Sequence, residues 1–240
     1  MQLDIDIQKT LRSGERVFQL NARFCAEGQR VVVVGPSGAG KSLLLKAIAG
    51  LMRPDSGHVR IDGQALFDSK AGTNLPPQAR HIAYLFQDYA LFPHLSVRQN
   101  IAFGLARGWF NPRSHDGGAP VDYWLDALHL REVAHQAPHE LSGGQRQRTA
   151  LARALVSQPR ALLLDEPFAA LDPALRVVMR AELDALQKRL KVPMVLITHD
   201  PQDVEVFGEQ VLQVRGGVIE LQASGAKAGA QASAHLLAAA

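Results

Sequence analysis

The sequence predicts an α/β fold: a mostly parallel sheet with an antiparallel β segment on its N-terminal side and a helical insert in its middle third. Three observations carry this. The runs Val31-Val32-Val33-Val34 and Ala161-Leu162-Leu163-Leu164 are apolar on both parities, as strands covered on both faces are. Stretches of this kind alternate with helical patterns, the order expected of a parallel sheet. Near the N-terminus the pattern has period two instead, as half-buried antiparallel strands do.

Taken in order, Leu3, Ile5 and Ile7 interleave with Asp4 and Asp6, and Phe18, Leu20, Ala22 and Phe24 with Gln19, Asn21 and Arg23. Arg30 to Val34 is a buried strand running into a glycine-rich loop, then a helix from Lys41 to about Ala49 that Gly50 stops. Pro54-Asp55-Ser56-Gly57 reads as a turn, and Asp62-Gly63 as the turn of a hairpin between 58–61 and 64–67. A strand is expected over 82–86. Ser96-Val97-Arg98-Gln99 has the form of a capping box opening a helix toward Leu105. The stretch 109–120, rich in Gly, Pro, Asn, Ser and Asp, reads as a loop, and 121–130 as a helix. A further helix follows Ser142-Gly143-Gly144 and ends before Pro159. The last third returns to α/β order: a strand over 161–165, a long amphipathic helix over 173–190, a strand over 194–198, a helix over 201–207, and a hairpin around Gly216-Gly217. Residues 223–240 are mostly Ala, Gly and Ser, a composition expected to fray.

Composition narrows the class. In 240 residues, 47% are hydrophobic and 20% charged, too apolar a chain for disorder. The net charge of +3 is spread along the chain and calls for no polyanion, so a nucleic-acid partner is not expected. A single cysteine, Cys25, forms no internal disulfide, which fits a reducing compartment. No apolar run reaches the length of a membrane span, and Met1-Gln2-Leu3-Asp4 opens without the basic and apolar regions of a secretory signal.

Gly35-Pro36-Ser37-Gly38-Ala39-Gly40-Lys41-Ser42 fits G-x-x-x-x-G-K-[ST] between a strand and a helix, the context that a phosphate-binding loop requires. The fold class is therefore sharpened to a P-loop NTPase core. Backbone N–H groups of the loop and of the helix start, through Leu43, cradle phosphates. Lys41 reaches the β- and γ-phosphates and the Ser42 hydroxyl ligates Mg²⁺. The apolar strand 162–164 ends in Asp165 and Glu166, at the sheet edge where open α/β folds bind ligands. Asp165 is expected to hold Mg²⁺ through water, and Glu166 to polarise a water for in-line attack on the γ-phosphate. Ser142, Gly143, Gly144 and Gln145 open a second helix with a hydroxyl, bare backbone N–H groups and a positive dipole, a second phosphate-binding start.

Leu141 to Gln145, continued by Arg146-Gln147-Arg148, resembles the signature motif of ATP-binding cassette (ABC) ATPases, and the order of motifs from about residue 3 to 221 is similar to that family. The resemblance implies an ABC ATP-binding domain over 1–222, with a helical signature subdomain at about 88–159. It implies roles for three further sites. Gln87 corresponds to the glutamine that contacts Mg²⁺ and the attacking water, Ala170-Leu171-Asp172 to the loop facing the other subunit, and His199 to the switch histidine on the γ-phosphate. It also implies a head-to-tail dimer of two copies, with ATP between the loop of one and Ser142–Gln145 of the other. The family usually places an aromatic ahead of the loop to stack on adenine. Here 11–16 offers none, Phe18 reads as core, and Arg12 or Arg16 is left to stack as a cation.

Among cassettes, 84–97 resembles importer ATPases, where this surface receives the permease. Tyr89, Leu91, Phe92 and Leu95 either form that patch or pack the helical insert. A cassette acting on nucleic acid or ribosomes is the alternative. Lys41 and Leu141 lie only 100 positions apart, which leaves no room for the long coiled coil of the chromosome-maintenance relatives. Within importers, the segments 3–11 and 75–84 resemble molybdate-importer ATPases, while sulfate, polyamine, iron and sugar importers share the Phe92-Pro93-His94 region. The resemblance thus implies an ATP- and Mg²⁺-dependent ATPase, peripheral on the cytoplasmic face of the cell membrane. It would bind transmembrane permease subunits and, through them, serve a substrate-binding protein.

Overall fold

The computed structural model describes residues 1–105, 111–113 and 115–222. β1 (Gln2–Ser13) and β2 (Arg16–Glu27) pair antiparallel along their whole length, from Gln2 opposite Glu27 to Ser13 opposite Arg16. The period-two pattern sets the register. Leu3, Ile5, Ile7, Leu20, Ala22 and Phe24 are all buried, and a slip of one residue would turn them all to solvent.

β3 (Arg30–Val34) follows and leads through the glycine loop into α1 (Lys41–Ala49), which ends at Gly50 in the left-handed conformation, φ 81°. β4 (Ser56–Ile61), β5 (Gln64–Asp68) and β6 (Thr73–Asn74) extend the antiparallel side, with Asp62 and Gly63 both at positive φ in the turn between the first two. α2 (Pro77–Arg80) and β7 (Ile82–Leu85) come next. The buried guanidinium of Arg80 donates to the carbonyls of Ala47 and Ile48, each at 2.8 Å, and so closes the C-terminal end of α1.

The helical insert holds α3 (Val97–Phe103), α4 (Gly118–Ala127) and α5 (Gly143–Leu155). Ser96 and Gln99 form the expected capping box. The expected loop at 109–120 is corrected at its far end. α4 starts at Gly118, inside that stretch, and stops at Ala127 rather than Leu130. Gly117, in the left-handed conformation, accepts from the Val121 N–H, and Pro120 lies in the first turn, where a missing N–H breaks no intrahelical bond. The same Gly and Pro residues that read as a loop therefore open a helix. Residues 106–110 and 114 of that stretch, and the tail 223–240, lie outside the described residues.

β8 (Ala161–Asp165), α6 (Pro173–Leu190), β9 (Met194–Ile197), α7 (Pro201–Phe207), β10 (Gln210–Arg215) and β11 (Val218–Gln222) complete the chain. The described strands form one sheet in the order β6-β5-β4-β1-β2-β11-β10-β3-β9-β8-β7, parallel from β10 to β7. The parallel strands bury both parities, and each parity feeds a separate core. Val32, Val34, Leu162, Leu164, Met194 and Leu196 pack under α3 to α7. Val31, Val33, Leu163, Val195 and Ile197 pack against Leu44, Leu45 and Ile48 of α1 and the inner face of β1, β2 and β4. α1 and α5 thus lie on opposite faces of the sheet.

Tyr89 is buried in the first core with Leu91 packed against it, and Leu95 is buried as well. Phe92 packs against Phe103, with ring centroids 4.3 Å apart and the rings tilted by 46°. Tyr89 and Leu95 thus pack inside, while Leu91 and Phe92 are half-exposed.

Candidate active site

The glycine loop is shaped by contacts that exclude side chains. Gly35 has φ 151°, and a Cβ there would stand 2.2 Å from the Val214 carbonyl oxygen on β10. Gly40 has φ 103°, and a Cβ would meet the Phe18 ring at 2.9 Å. Between them Pro36, Ser37 and Gly38 are exposed at the crown, while Ala39 is tucked inside. Gly40 is the N-cap of α1 and supplies no capping side chain, so the N–H groups at the start of the helix, including those of Ser42 and Leu43, are left for a ligand.

Lys41 is buried, and its ammonium donates to the carbonyls of Gly35 at 2.7 Å and Pro36 at 2.9 Å. Burial pushes its pKa down, and the charges of Glu166 and Asp165 push it back up. Those acids end β8. Asp165 Oδ1 accepts from the Ser42 hydroxyl at 3.0 Å, and Oδ2 accepts from the Tyr84 phenol at 2.8 Å. Glu166 takes φ 47° as the chain leaves the strand, with its N–H on the Ile197 carbonyl at 3.1 Å. His199 Nδ1 lies 3.4 Å from Glu166 Oε2. The register of Asp165 opposite Ile197 brings the two strand ends level, which is why these side chains meet. Ser42 and Asp165 give the hard oxygen pair that suits Mg²⁺.

The support behind His199 is a buried charge network that sequence reasoning missed. Arg180 on α6 donates to Asp203 at 2.7 Å, to Gln202 at 2.8 Å and to Asp200 at 3.0 Å. The Thr198 hydroxyl donates to Asp203 and accepts from the Asp200 N–H. Both neighbours of the histidine are therefore fixed, while its own ring stays 60% exposed. Burial raises the Asp203 pKa, against lowering by Thr198 and Arg180.

Gln87 is exposed in the turn after β7. Leu85 pairs with Leu164, so Gln87 leaves the sheet at the edge where Glu166 does. The next residues, Tyr89 and Ala90, both have positive φ, and Arg153 of α5 donates to their carbonyls at 2.7 Å each. The Tyr89 phenol donates to the Pro167 carbonyl at 3.3 Å. The glutamine turn is thus tied both to α5 and to the loop behind Glu166.

Ser142 caps α5, its Oγ accepting from the Gln145 N–H at 3.2 Å while Gln145 Oε1 accepts from the Ser142 N–H at 2.8 Å. Gly143 and Gly144 press on Leu171 and Leu175, a Cβ standing 3.1 and 3.2 Å from them respectively, so the pair also serves close packing on α6. Asp172 caps α6 through the Leu175 N–H at 3.0 Å. The structure brings Lys41, Ser42, Asp165, Glu166 and His199 into one constellation. It leaves Ser142–Gln145 at a separate helix start, on the other face of the sheet.

Tyr84 is a second functional candidate that motif reading passed over. Its signal is its parity: Tyr84 pairs with Leu163 of β8 and packs on the α1 side of the sheet, as Leu163 does, two residues short of Asp165.

The family described as ABC transporter matches residues 21–169. The chain is 39% identical over 217 residues to the molybdenum import ATP-binding protein ModC of Paramagnetospirillum magneticum, covering 90% of this chain and 58% of that protein. It is 41% identical over 214 residues to the spermidine/putrescine import ATP-binding protein PotA of Salmonella typhimurium, covering 89% and 54%. The chain therefore spans little more than half the length of these curated relatives. Its fold is similar to that of the dimeric ATP-binding cassette MJ0796, solved in a post-hydrolysis state bound to ADP and Pi, with a TM-score of 0.75, 29% identity, and coverage of 93% of this chain and 98% of that one.

Replacing Arg180 with Ala leaves the buried Asp203 without its cation and should destabilise the fold by about 3–5 kcal/mol at pH 7. The folded-state pKa of Asp203 is already above its ordinary value of 3.8 and rises further without Arg180. The penalty is absent below the unfolded pKa, where the acid is protonated in both states, and grows as pH rises through the folded pKa. Urea unfolding from pH 7 to about pH 4 should therefore show the gap to wild type narrowing toward acid. A gap independent of pH would contradict this account.

Proposed function

Because the chain belongs to the ABC transporter family, we propose that it is the ATP-binding and ATP-hydrolysing subunit of an importer, with residues 1–222 forming the nucleotide-binding domain and about 88–159 its helical subdomain. The observation that carries this is the constellation at the carboxyl edge of the sheet. A phosphate loop with a buried lysine, the Ser42–Asp165 oxygen pair and the Glu166–His199 pair stand together there.

The roles follow from chemistry. The loop N–H groups and Lys41 bind the phosphates, and Lys41 must leave the carbonyls of Gly35 and Pro36 to do so. Ser42 and Asp165, with Gln87, would hold Mg²⁺, which when bound neutralises phosphate charge. Glu166 accepts a proton from the attacking water, and His199, beside it, orients toward the γ-phosphate. Glu166→Gln removes the base but keeps the shape. Its turnover should fall at least about a hundredfold with ATP binding retained, as measured by phosphate release and equilibrium binding. Unimpaired hydrolysis would overturn the assignment.

The partner copy follows from the two faces of the sheet. α1 and α5 pack on opposite faces. A nucleotide on Lys41 is met by a Ser142–Gln145 helix start most simply if that start comes from a second molecule, head to tail. Ser142→Arg puts a bulky side chain on that start and should abolish ATP-dependent dimers of the Glu166→Gln variant in light scattering. Dimers of normal stability would argue against the shared site.

Permease subunits would dock on the membrane-facing side, near the glutamine turn. Among the described residues no helix is long and apolar enough to cross a membrane, and the chain is proposed to lie peripherally on the cytoplasmic face, held by the permease. For the cargo we favour molybdate or a related oxyanion. The segments 3–11 and 75–84 support this, as does the likeness to ModC; the equal likeness to PotA, a spermidine/putrescine import protein, supports only an importer in general. In proteoliposomes holding the chain with its permease and binding protein, ATP turnover should rise with molybdate and not with spermidine. The reverse result would select the polyamine reading.

A further inference from the structure

We propose that Gly217, at the tip of the β10–β11 hairpin, is a positioning residue for nucleotide binding: its N–H holds the Ala39–Gly40 peptide so that the Gly40 N–H is presented to phosphate. The inference rests on the reading of the glycine loop as a phosphate cradle and adds a residue from outside that motif.

The hairpin supplies a donor that its own strands do not use. Arg215 pairs with Val218, so Gly216 and Gly217 form a two-residue turn, with φ 53° and 84°. The Gly217 N–H donates out of this turn to the Ala39 carbonyl at 3.1 Å. Gly217 is itself held from behind by β2. Its carbonyl accepts from the Asn21 N–H at 2.7 Å, and a Cβ on it would stand 1.9 Å from the Gln19 carbonyl oxygen. β2 thus fixes the donor, and the donor fixes the loop.

One peptide unit is what this donor controls. In a planar trans peptide the C=O and the N–H point opposite ways. With the Ala39 carbonyl turned out to the hairpin, the Gly40 N–H is turned away from it, and it has no acceptor among the described residues. The neighbouring loop groups are already engaged: the Ala39 N–H donates to the Pro36 carbonyl at 3.2 Å, and the Gly40 carbonyl accepts from the Leu44 N–H at 3.0 Å. A glycine at position 40 offers little resistance to a flip of this peptide. The flip would aim the Ala39 carbonyl oxygen at phosphate in place of a donor. The Gly217 hydrogen bond opposes that alternative before nucleotide arrives, so the cost of ordering the loop does not fall on binding. Gly217 thus acts on phosphate through Gly40, without touching it.

The test uses the full chain with Mg²⁺ present throughout. Wild type, Gly217→Ala and Gly216→Asn are compared by calorimetric titration of ADP and ATP and by steady-state phosphate release. In Gly217→Ala the new Cβ meets backbone, so the turn must shift and withdraw its N–H. Gly216 has open space where its Cβ would lie, and asparagine tolerates its positive φ, so Gly216→Asn alters the same turn without moving the donor. Gly217→Ala should weaken ADP and ATP alike by about tenfold, as loss of a hydrogen bond to a charged group does. KM for ATP should rise by the same factor with kcat held, because the contact is equal in ground and transition states. Gly216→Asn should match wild type. Unchanged affinity in Gly217→Ala overturns the proposal, and so do equal losses in both variants, which mark strain in the hairpin. Amide exchange of the wild type, read by NMR, covers the case in which Gly217→Ala folds poorly. The Gly217 N–H should be protected relative to Gly216 with and without ADP, and the Gly40 N–H should gain protection only with ADP. A Gly217 N–H exchanging as fast as that of Gly216, or a Gly40 N–H protected without ADP, overturns the proposal. If wild type binds neither nucleotide, the phosphate-loop reading fails instead, and this inference with it.

Discussion

Two opposite charges, the Lys41 ammonium and the Asp165 carboxylate, are held almost out of water at one edge of the sheet, and the construction around them follows from keeping both. A buried charge is tolerable only with hydrogen bonds and a counter-charge. Lys41 finds carbonyls of its own loop and the field of Asp165 and Glu166. Asp165 finds two hydroxyls, one from α1 and one from β7. Each of these contacts fixes an element. The loop carbonyls turn toward Lys41 only because Gly35 and Gly40 permit the path between β10 and Phe18. The hydroxyls meet Asp165 only because β7, β8 and β3 keep their order in the sheet.

The same requirement recurs one layer out. Arg180 and Asp203 are both buried, and they support each other across α6 and α7 while Thr198 joins them to the end of β9. His199 is consequently an exposed ring on a rigid stem. Arg153 does for the glutamine turn what Arg180 does for the histidine, holding two left-handed residues in place through their carbonyls. The groups proposed to move or react are thus carried on segments that guanidinium groups hold in place.

This division explains what the sequence makes legible. Strands with both parities apolar, the glycine loop, the acids at a strand end and the capped starts of α3 and α5 are local signals, each readable within a few residues. The phenol on Asp165 is not, because its partner lies 81 residues away and only the β7–β8 register brings them together. Arg180 reads as one more charge on an amphipathic helix, and its burial depends on α7 packing over it. α4 misleads for a different reason: its glycines and proline occupy a first turn, where they are harmless, and composition alone does not distinguish a first turn from a loop. The glycines of 143–144 are readable as phosphate ligands but not as the floor on which Leu171 and Leu175 rest.

That last contact bears on how two copies would communicate. Leu171 follows Glu166 by five residues and lies against the helix start proposed to reach the partner's nucleotide. In the proposed dimer, a shift of α5 on closing would press on the loop that carries Glu166, the proposed base. It would also pull through Arg153 on the turn that carries Gln87 and, through the Tyr89 phenol, on Pro167. Two routes from α5 thus converge on the turn after Glu166, one at Pro167 and one at Leu171. In the proposed dimer, each signature helix touches the other copy's ATP at its start and its own copy's catalytic base through these packed contacts. Binding at one site would then bear on the proposed base of the other through these packed contacts.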